Sequence, residues 1–193
     1  MNKDQKIKLF FAALYHDVGK PQTTKFNEQK QDIQAIDHEN IGSIIAEDCL
    51  TNLIPKKLIK PILMMIQQHM LNESISNKSI VKRADEFIKH DICWNEILSL
   101  KLCDEIGRIG LLSREDTLIS HINLYKRIHD LGVLNEPLPK LLSGKDLISI
   151  GFKSGKIIGK IMDEIRAKQC SFQLKTHEEA MDFTMRRFKK VNI

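Results

Sequence analysis

Apolar residues recur at intervals of three and four along almost the whole chain, and no stretch alternates apolar and polar residues cleanly over a strand length. A chain patterned this way buries its stripes helix against helix, so the expected fold is all-α. Ile7 to Val18 reads as a helix stopped by Gly19, with Pro21 beyond. Residues 20–36 are polar, rich in Gln, Lys and Thr, and read as a long loop. The next helix is expected from near Asp37 to about Leu53. Pro55 and Pro61 each suit a first helical turn, and a short helix over 61–71 ends near His69. Further helices fit 77–90 and 94–107, and Leu118, Ile122, Tyr125 and Ile128 mark an apolar face. Asn135 to Pro139 is the best linker candidate. Beyond it come a short helix over Gly144 to Ile150 and a turn over Gly151 to Gly155. Ile157, Ile158, Ile161, Met162 and Ile165 form the stripe of another helix, and Thr176-His-Glu-Glu179 is a capping box opening the last one.

The 193 residues suit one compact domain, or one domain with a small appendage, and 42% apolar content excludes intrinsic disorder. No apolar run approaches the ~18 residues of a membrane span. The run Leu9 to Tyr15 ends in His16-Asp17 and is no signal peptide. Cys49, Cys93, Cys103 and Cys170 lie far apart without a Cys-x-x-Cys, and read as buried thiols of a soluble cytoplasmic protein. Charge divides the chain. Residues 1–139 hold 18 Lys/Arg and 19 Asp/Glu, whereas residues 140–193 hold 12 and 6. The basic excess therefore lies in the last 54 residues, where it favours a polyanion or is simply a solvated face. One tryptophan and two tyrosines give few stacking platforms for single-strand base readout.

Five residues stand out at or near predicted helix ends: His16, Asp17, His38, His69 and Asp104. Imidazole and carboxylate together suit divalent metals of intermediate hardness. Adjacent His16 and Asp17 cannot share a face of a regular helix, but can turn to one point where the backbone unwinds before Gly19. His90, His121, His129 and His177 read as ordinary surface or core histidines.

Ala13-Leu-Tyr-His-Asp-Val-Gly-Lys-Pro21 resembles the signature of the HD superfamily of metal-dependent phosphohydrolases. Asp37-His-Glu-Asn-Ile-Gly-Ser43, Met65-Ile-Gln-Gln-His-Met70 and Leu102-Cys-Asp-Glu-Ile-Gly-Arg108 resemble the family's later segments in the same order. Pro139 to Leu147, Ile150 to Lys156 and Thr176 to Phe183 are similar to the C-terminal region of bacterial CCA-adding enzymes, tRNA nucleotidyltransferases that carry an HD domain. The sequence has no Asp-x-Asp, the pair with which the nucleotidyltransferase head of those enzymes holds metal, so that head is expected to be absent. No histidine precedes His16, where many HD proteins have another ligand. Water, another side chain or a partner chain would fill that position.

The resemblance implies an HD helical bundle over residues 1–134 and a basic helical extension over 140–193 that faces tRNA. It implies one or two divalent ions (Mn, Ni, Co, Fe or Mg) on His16, Asp17, His38, His69 and Asp104, with Asp17 a possible bridge. Asp17, Lys20 and Arg108 are the candidate catalytic residues. Lys20 would neutralise phosphoryl charge or be a plain helix-end lysine; Arg108 would touch phosphate or pair with Asp104 or Glu105. Lys145, Lys153, Lys156 and Lys160 are the candidate nucleic-acid contacts. The Gly151 to Lys156 turn is either a phosphate cradle or an ordinary helix–helix turn, and lacks the Walker A spacing. The expected activity is hydrolysis of a nucleotide or RNA-end phosphate, such as a 2′,3′-cyclic phosphate. The alternatives are a non-catalytic tRNA-binding body half of a split CCA-adding enzyme and a dinucleoside polyphosphate hydrolase.

Overall fold

The computed structural model describes residues 1–71, 73–108 and 114–188. The fold is a helical bundle with one small hairpin. Asn2 and Gln5 form a reciprocal capping box that starts α1 (Lys3–Tyr15). After the His16-Asp17 turn come α2 (Lys20–Thr23) and two antiparallel strands, β1 (Thr24–Asn27) and β2 (Asp32–Ala35), with Thr24 opposite Ala35 and Asn27 opposite Asp32. Then follow α3 (His38–Leu50), α4 (Lys56–Gln68), α5 (Asn77–Phe87), a single 3₁₀ turn at Ile88–His90, α6 (Trp94–Arg108) and α7 (Arg114–Asp130). The last three helices are α8 (Gly144–Ser149), α9 (Lys156–Cys170) and α10 (His177–Phe188).

Two apolar clusters organise these elements. The first gathers Leu50, Ile62, Met65, Ile66, Phe87, Trp94 and Ile97 among others. Its buried Trp94 stacks edge-on against Phe87 and donates its indole N–H to the Ile80 carbonyl at 3.0 Å. The second is built by Leu142, Leu147, Phe152, Ile161, Ile165, Leu174 and Ala180 of the C-terminal segment. Arg166 of α9 joins the two. It forks onto both Asp85 oxygens at 3.2 and 3.1 Å and donates to the Leu138 carbonyl at 3.0 Å. Gln169 donates to the Pro139 carbonyl at 2.9 Å, so the proline-rich segment is held on α9 rather than swinging free.

Four expectations are corrected. The polar stretch 20–36 is α2 and the hairpin, not a loop. Its strands are four residues each and mostly exposed, too short for an alternation to register. Pro61 does not start a helix; it lies inside α4, buried, where only one intrahelical donor is lost. On α7 the buried positions are His121, Leu124, Ile128 and Leu131, while Leu118, Ile122 and Tyr125 are exposed, so the expected apolar face is rotated outward except at Ile128. Cys49 and Cys103 are exposed and Cys93 is half-buried; Cys170 alone of the four free thiols is buried. The Thr176 capping box forms as expected, with Glu179 N donating to Thr176 Oγ1 and Thr176 N donating to Glu179 Oε2.

Candidate metal centre

The ends of helices position the five residues. α1 closes at Tyr15, and His16 stands at its C-cap. There the carbonyl of Ala13, unclaimed within the helix, accepts from His16 Nδ1 at 2.8 Å. His69 repeats this at the C-cap of α4, its Nδ1 donating to the Ile66 carbonyl at 2.7 Å. His38 opens α3 and its Nδ1 donates to the Ala35 carbonyl, the last residue of β2, at 2.7 Å. Each bond fixes the tautomer, leaving a bare lone pair on every Nε2. Ring orientation and ligand basicity are thus set by main chain three residues upstream.

Those lone pairs converge with two carboxylates. His38 Nε2 lies 3.2 Å from His69 Nε2 and 3.4 Å from Asp17 Oδ1. His69 Nε2 lies 3.8 Å from the same oxygen. On the other side, Asp17 Oδ2 is 3.4 Å and Asp104 Oδ1 is 3.3 Å from His16 Nε2. Asp17, His38 and His69 form one compact donor set, and His16, Asp17 and Asp104 form another. Asp17 belongs to both and offers a different oxygen to each. The side chains of His38 and His69 are 5% and 1% exposed, which removes the water that would otherwise separate such acceptors. Five acceptors without a proton between them are mutually repulsive unless a cation sits among them, and imidazole–carboxylate sets of this composition suit Mn, Fe, Co, Ni or Zn. The residues present therefore fit a divalent ion.

A close backbone contact brings the two sets together. A Cβ on Gly19 would stand 2.2 Å from the His38 carbonyl oxygen and 2.7 Å from the Gly42 nitrogen. Only glycine lets the turn carrying His16 and Asp17 lie on α3. Gln67 Nε2 donates to Ser43 Oγ at 3.0 Å, tying α4 to α3 close to the His38–His69 pair. Sequence reasoning missed Gly19 and Gly42 as positioning residues. The signal available was a glycine shortly after His16-Asp17 and another shortly after His38.

Electrostatics follow the geometry. Partial burial pushes the Asp17 carboxyl up, but the Lys20 ammonium, 2.5 Å from Oδ2, and the neighbouring histidines outweigh it and hold it below its ordinary value. Burial pushes His69 down; the Ile66 carbonyl and Asp17 oppose this, and His16 and His38 add to it. Both shifts favour the ligating forms, carboxylate and neutral imidazole.

An open pocket of about 390 Å³ gives access to the His16 side, lined by His16, Asp17, Lys20, Cys103, Asp104 and Gly107. Lys20 lies at the mouth of this pocket. Arg108 ends α6 one turn beyond Asp104, but its side chain falls outside the described residues. Lys145, Lys153, Lys156 and Lys160 do not join this site. They are exposed on α8, α9 and the turn between them, with no ion-pair partner among the described residues. The Gly151 to Gly155 turn carries positive φ at both glycines. His90 pairs with Glu86, His129 with Asp130 and His177 with the Leu141 carbonyl, while His121 is buried 3.7 Å from Glu105. None of the four approaches the five.

Residues 1–89 match the model of the HD domain family, covering four of the five donors, their caps and the Gly19–Gly42 contact. This part of the chain is thus similar to HD domains. Asp104 supplies the fifth donor from beyond the matched residues. The chain is 26% identical over 178 residues to the CC-adding tRNA nucleotidyltransferase of Thermus thermophilus, which covers 90% of this chain and 38% of that protein. It is 26% identical over 191 residues to the A-adding tRNA nucleotidyltransferase of Deinococcus radiodurans, covering 95% of this chain and 42% of that one. The chain therefore spans about two fifths of the length of the curated relatives it matches. No solved structure matches it significantly. No described helix is long and apolar enough to cross a membrane.

Proposed function

We propose that this HD-like domain is a metal-dependent phosphohydrolase acting on a nucleotide or RNA-end phosphate. One observation carries the reading: three histidines with their Nδ1 atoms committed to main chain aim bare Nε2 atoms at a shared carboxylate. His16, Asp17 and Asp104 would hold one divalent ion, and His38 and His69 with the other oxygen of Asp17 a second. A divalent ion held there supplies polarisation of a phosphoryl oxygen and a lowered pKa for water. Lys20 at the pocket mouth adds a cation for the negative charge of the phosphoryl group, and Arg108 is assigned the same part from α6. No serine or cysteine nucleophile is required. Lys145, Lys153, Lys156 and Lys160 would hold the RNA body on residues 140–193, which we take as a unit distinct from the HD bundle of residues 1–134.

The similarity of 90% or more of this chain to two tRNA nucleotidyltransferases favours a second reading, the non-catalytic tRNA-binding body half of a split CCA-adding enzyme. One experiment separates them. Metal-stripped protein is assayed on bis-p-nitrophenyl phosphate and a nucleoside 2′,3′-cyclic phosphate with Mn²⁺, Ni²⁺, Co²⁺ and Mg²⁺ in turn, with Asp17→Ala as control. Metal-dependent turnover lost in the variant supports the hydrolase. No turnover with any metal, together with tRNA binding, supports the second reading.

A further inference from the structure

The hairpin that the sequence hid forms a second cleft beside the metal centre. It has a volume of about 630 Å³, within the range of small-ligand sites. Its walls are joined to the site along the chain, through α2 and the start of α3. α2 begins with Lys20 at the metal pocket and two residues later presents Gln22 to the cleft. Asp37 lines the cleft and the next residue is His38, whose ring hangs on the Ala35 carbonyl of β2.

The lining chemistry is selective. By strand alternation, Lys25 and Asn27 of β1 share one face with Gln34 of β2, and Ile36 continues that face. Ile36 is 72% exposed, an apolar side chain with no cover, and Ile41 of α3 lines the same cleft. Asn27 Nδ2 donates to Gln34 Oε1 at 3.0 Å, while Asn27 Oδ1 accepts from the main chain of Gln29 and Lys30. Gln34 is thereby fixed, half-buried, with both N–H bonds of its amide left to offer. Lys25 is balanced by Glu28 and Asp37, so the cleft has no excess positive charge to hold a second phosphate. An apolar floor ringed by carboxamides suits a flat, uncharged ring with hydrogen-bonding edges.

We propose that the cleft between the β1–β2 hairpin and α3 binds the heterocycle of a nucleoside phosphate whose phosphate is held at the metal centre. This deepens the phosphohydrolase reading and rests on it for the phosphate. It makes the hairpin the specificity element of the site, choosing nucleoside phosphates over other phosphate esters.

The test is calorimetric binding of the four nucleoside 3′-monophosphates and of glycerol 2-phosphate to Mn²⁺-loaded protein, with hydrolysis of each followed in parallel. At least one nucleotide should bind about tenfold or more tighter than glycerol 2-phosphate. Gln34→Ala and Ile36→Asp, both at positions outside the core, should each erase most of that advantage. Equal affinity for nucleotide and glycerol phosphate, or an advantage untouched by both variants, overturns the cleft. The two readings fail separately. Hydrolysis of every ester with no nucleotide advantage sinks the cleft and keeps the hydrolase. An advantage that depends on Gln34 and Ile36, without hydrolysis of any ester, keeps the cleft and sinks the hydrolase.

Discussion

His38 and His69 meet Nε2 to Nε2 at 3.2 Å, each with its Nδ1–H already donated to a main-chain carbonyl. Neither nitrogen has a proton to share, so the pair is held in opposition by the fold and relieved only by a cation or by protonation. A divalent ion binds the folded chain and not the unfolded one. Mn²⁺ or Co²⁺ at one hundred times its Kd should stabilise the protein by about 2.7 kcal/mol, raising Tm by roughly 5–10 °C. Thermal scans with and without metal measure this. His38→Ala and His69→Ala should remove the metal-induced rise, and a rise that survives in both variants would place the ion elsewhere.

The metal-free protein should lose stability as pH falls from about 7.5 to 5.5. Burial depresses the pKa of His69 and of His121, so both stay neutral in the fold at pH values where the unfolded chain takes up protons near 6.5. The unfolded state then binds more protons, and stability drops as pH falls through that window. Urea midpoints at a series of pH values report it. His69→Gln and His121→Gln should each flatten the slope. A flat parent profile would show that neither histidine is held neutral.

Two glycines near the site should respond oppositely to alanine. At Gly19 the new methyl meets the His38 carbonyl oxygen and the Gly42 nitrogen, main-chain atoms with no rotamer to yield. Gly19→Ala should cost about 1–3 kcal/mol and weaken metal binding, because the atoms forced apart carry His16 and His38. Gly107, on α6, has nothing among the described residues within 4 Å of its would-be Cβ. Gly107→Ala should be neutral or stabilise by about 0.5–1 kcal/mol. Equal effects at the two positions would show that the Gly19 contact does not hold the site.

The contrast between what the sequence reveals and what it hides follows from range. Helices rest on periodicity and caps, which are local, so α1, α3, α5, α6 and the Thr176 box could be read to within a few residues. The five donors could be named because His16-Asp17 before glycine and the later histidine segments are also local patterns. Their convergence depends on α1, α3, α4 and α6 meeting at their ends, which no local pattern encodes. The hairpin escaped because four-residue strands leave no period to count. The outward face of α7 escaped because exposed apolar residues keep the same spacing as buried ones, and only packing against α6 decides which stripe turns inward.

Arg166 should decide whether the C-terminal helices stay docked. Its guanidinium satisfies Asp85 of α5, the Leu138 carbonyl and Gln169 together, with most of its side chain buried. Arg166→Ala removes a forked ion pair and strands the Leu138 carbonyl, at a cost of about 2–4 kcal/mol. Limited proteolysis should then cut near residues 135–143, which resist in the parent. Identical digestion patterns would mean that the apolar contacts of α9 with α5 suffice.

Lys8 is a buried cation that the amphipathic pattern of α1 does not announce. It is 3% exposed, its Nζ 2.9 Å from Glu96 Oε1 on α6 and also donating to the Asp91 carbonyl. Glu96 in turn accepts from the Cys93 N–H at 3.1 Å, so the pair pins α1 to the start of α6. The other end of the same two helices brings His16 to Asp104. Lys8→Met leaves a buried carboxylate without its cation and should cost about 3–5 kcal/mol. Lys8→Met with Glu96→Gln removes both charges and keeps the cap on Cys93, so it should recover at least about 1 kcal/mol of that loss. Urea unfolding of the four proteins closes the cycle. Additive losses would show that the two charges do not interact, and that α1 is aligned on α6 by apolar packing alone.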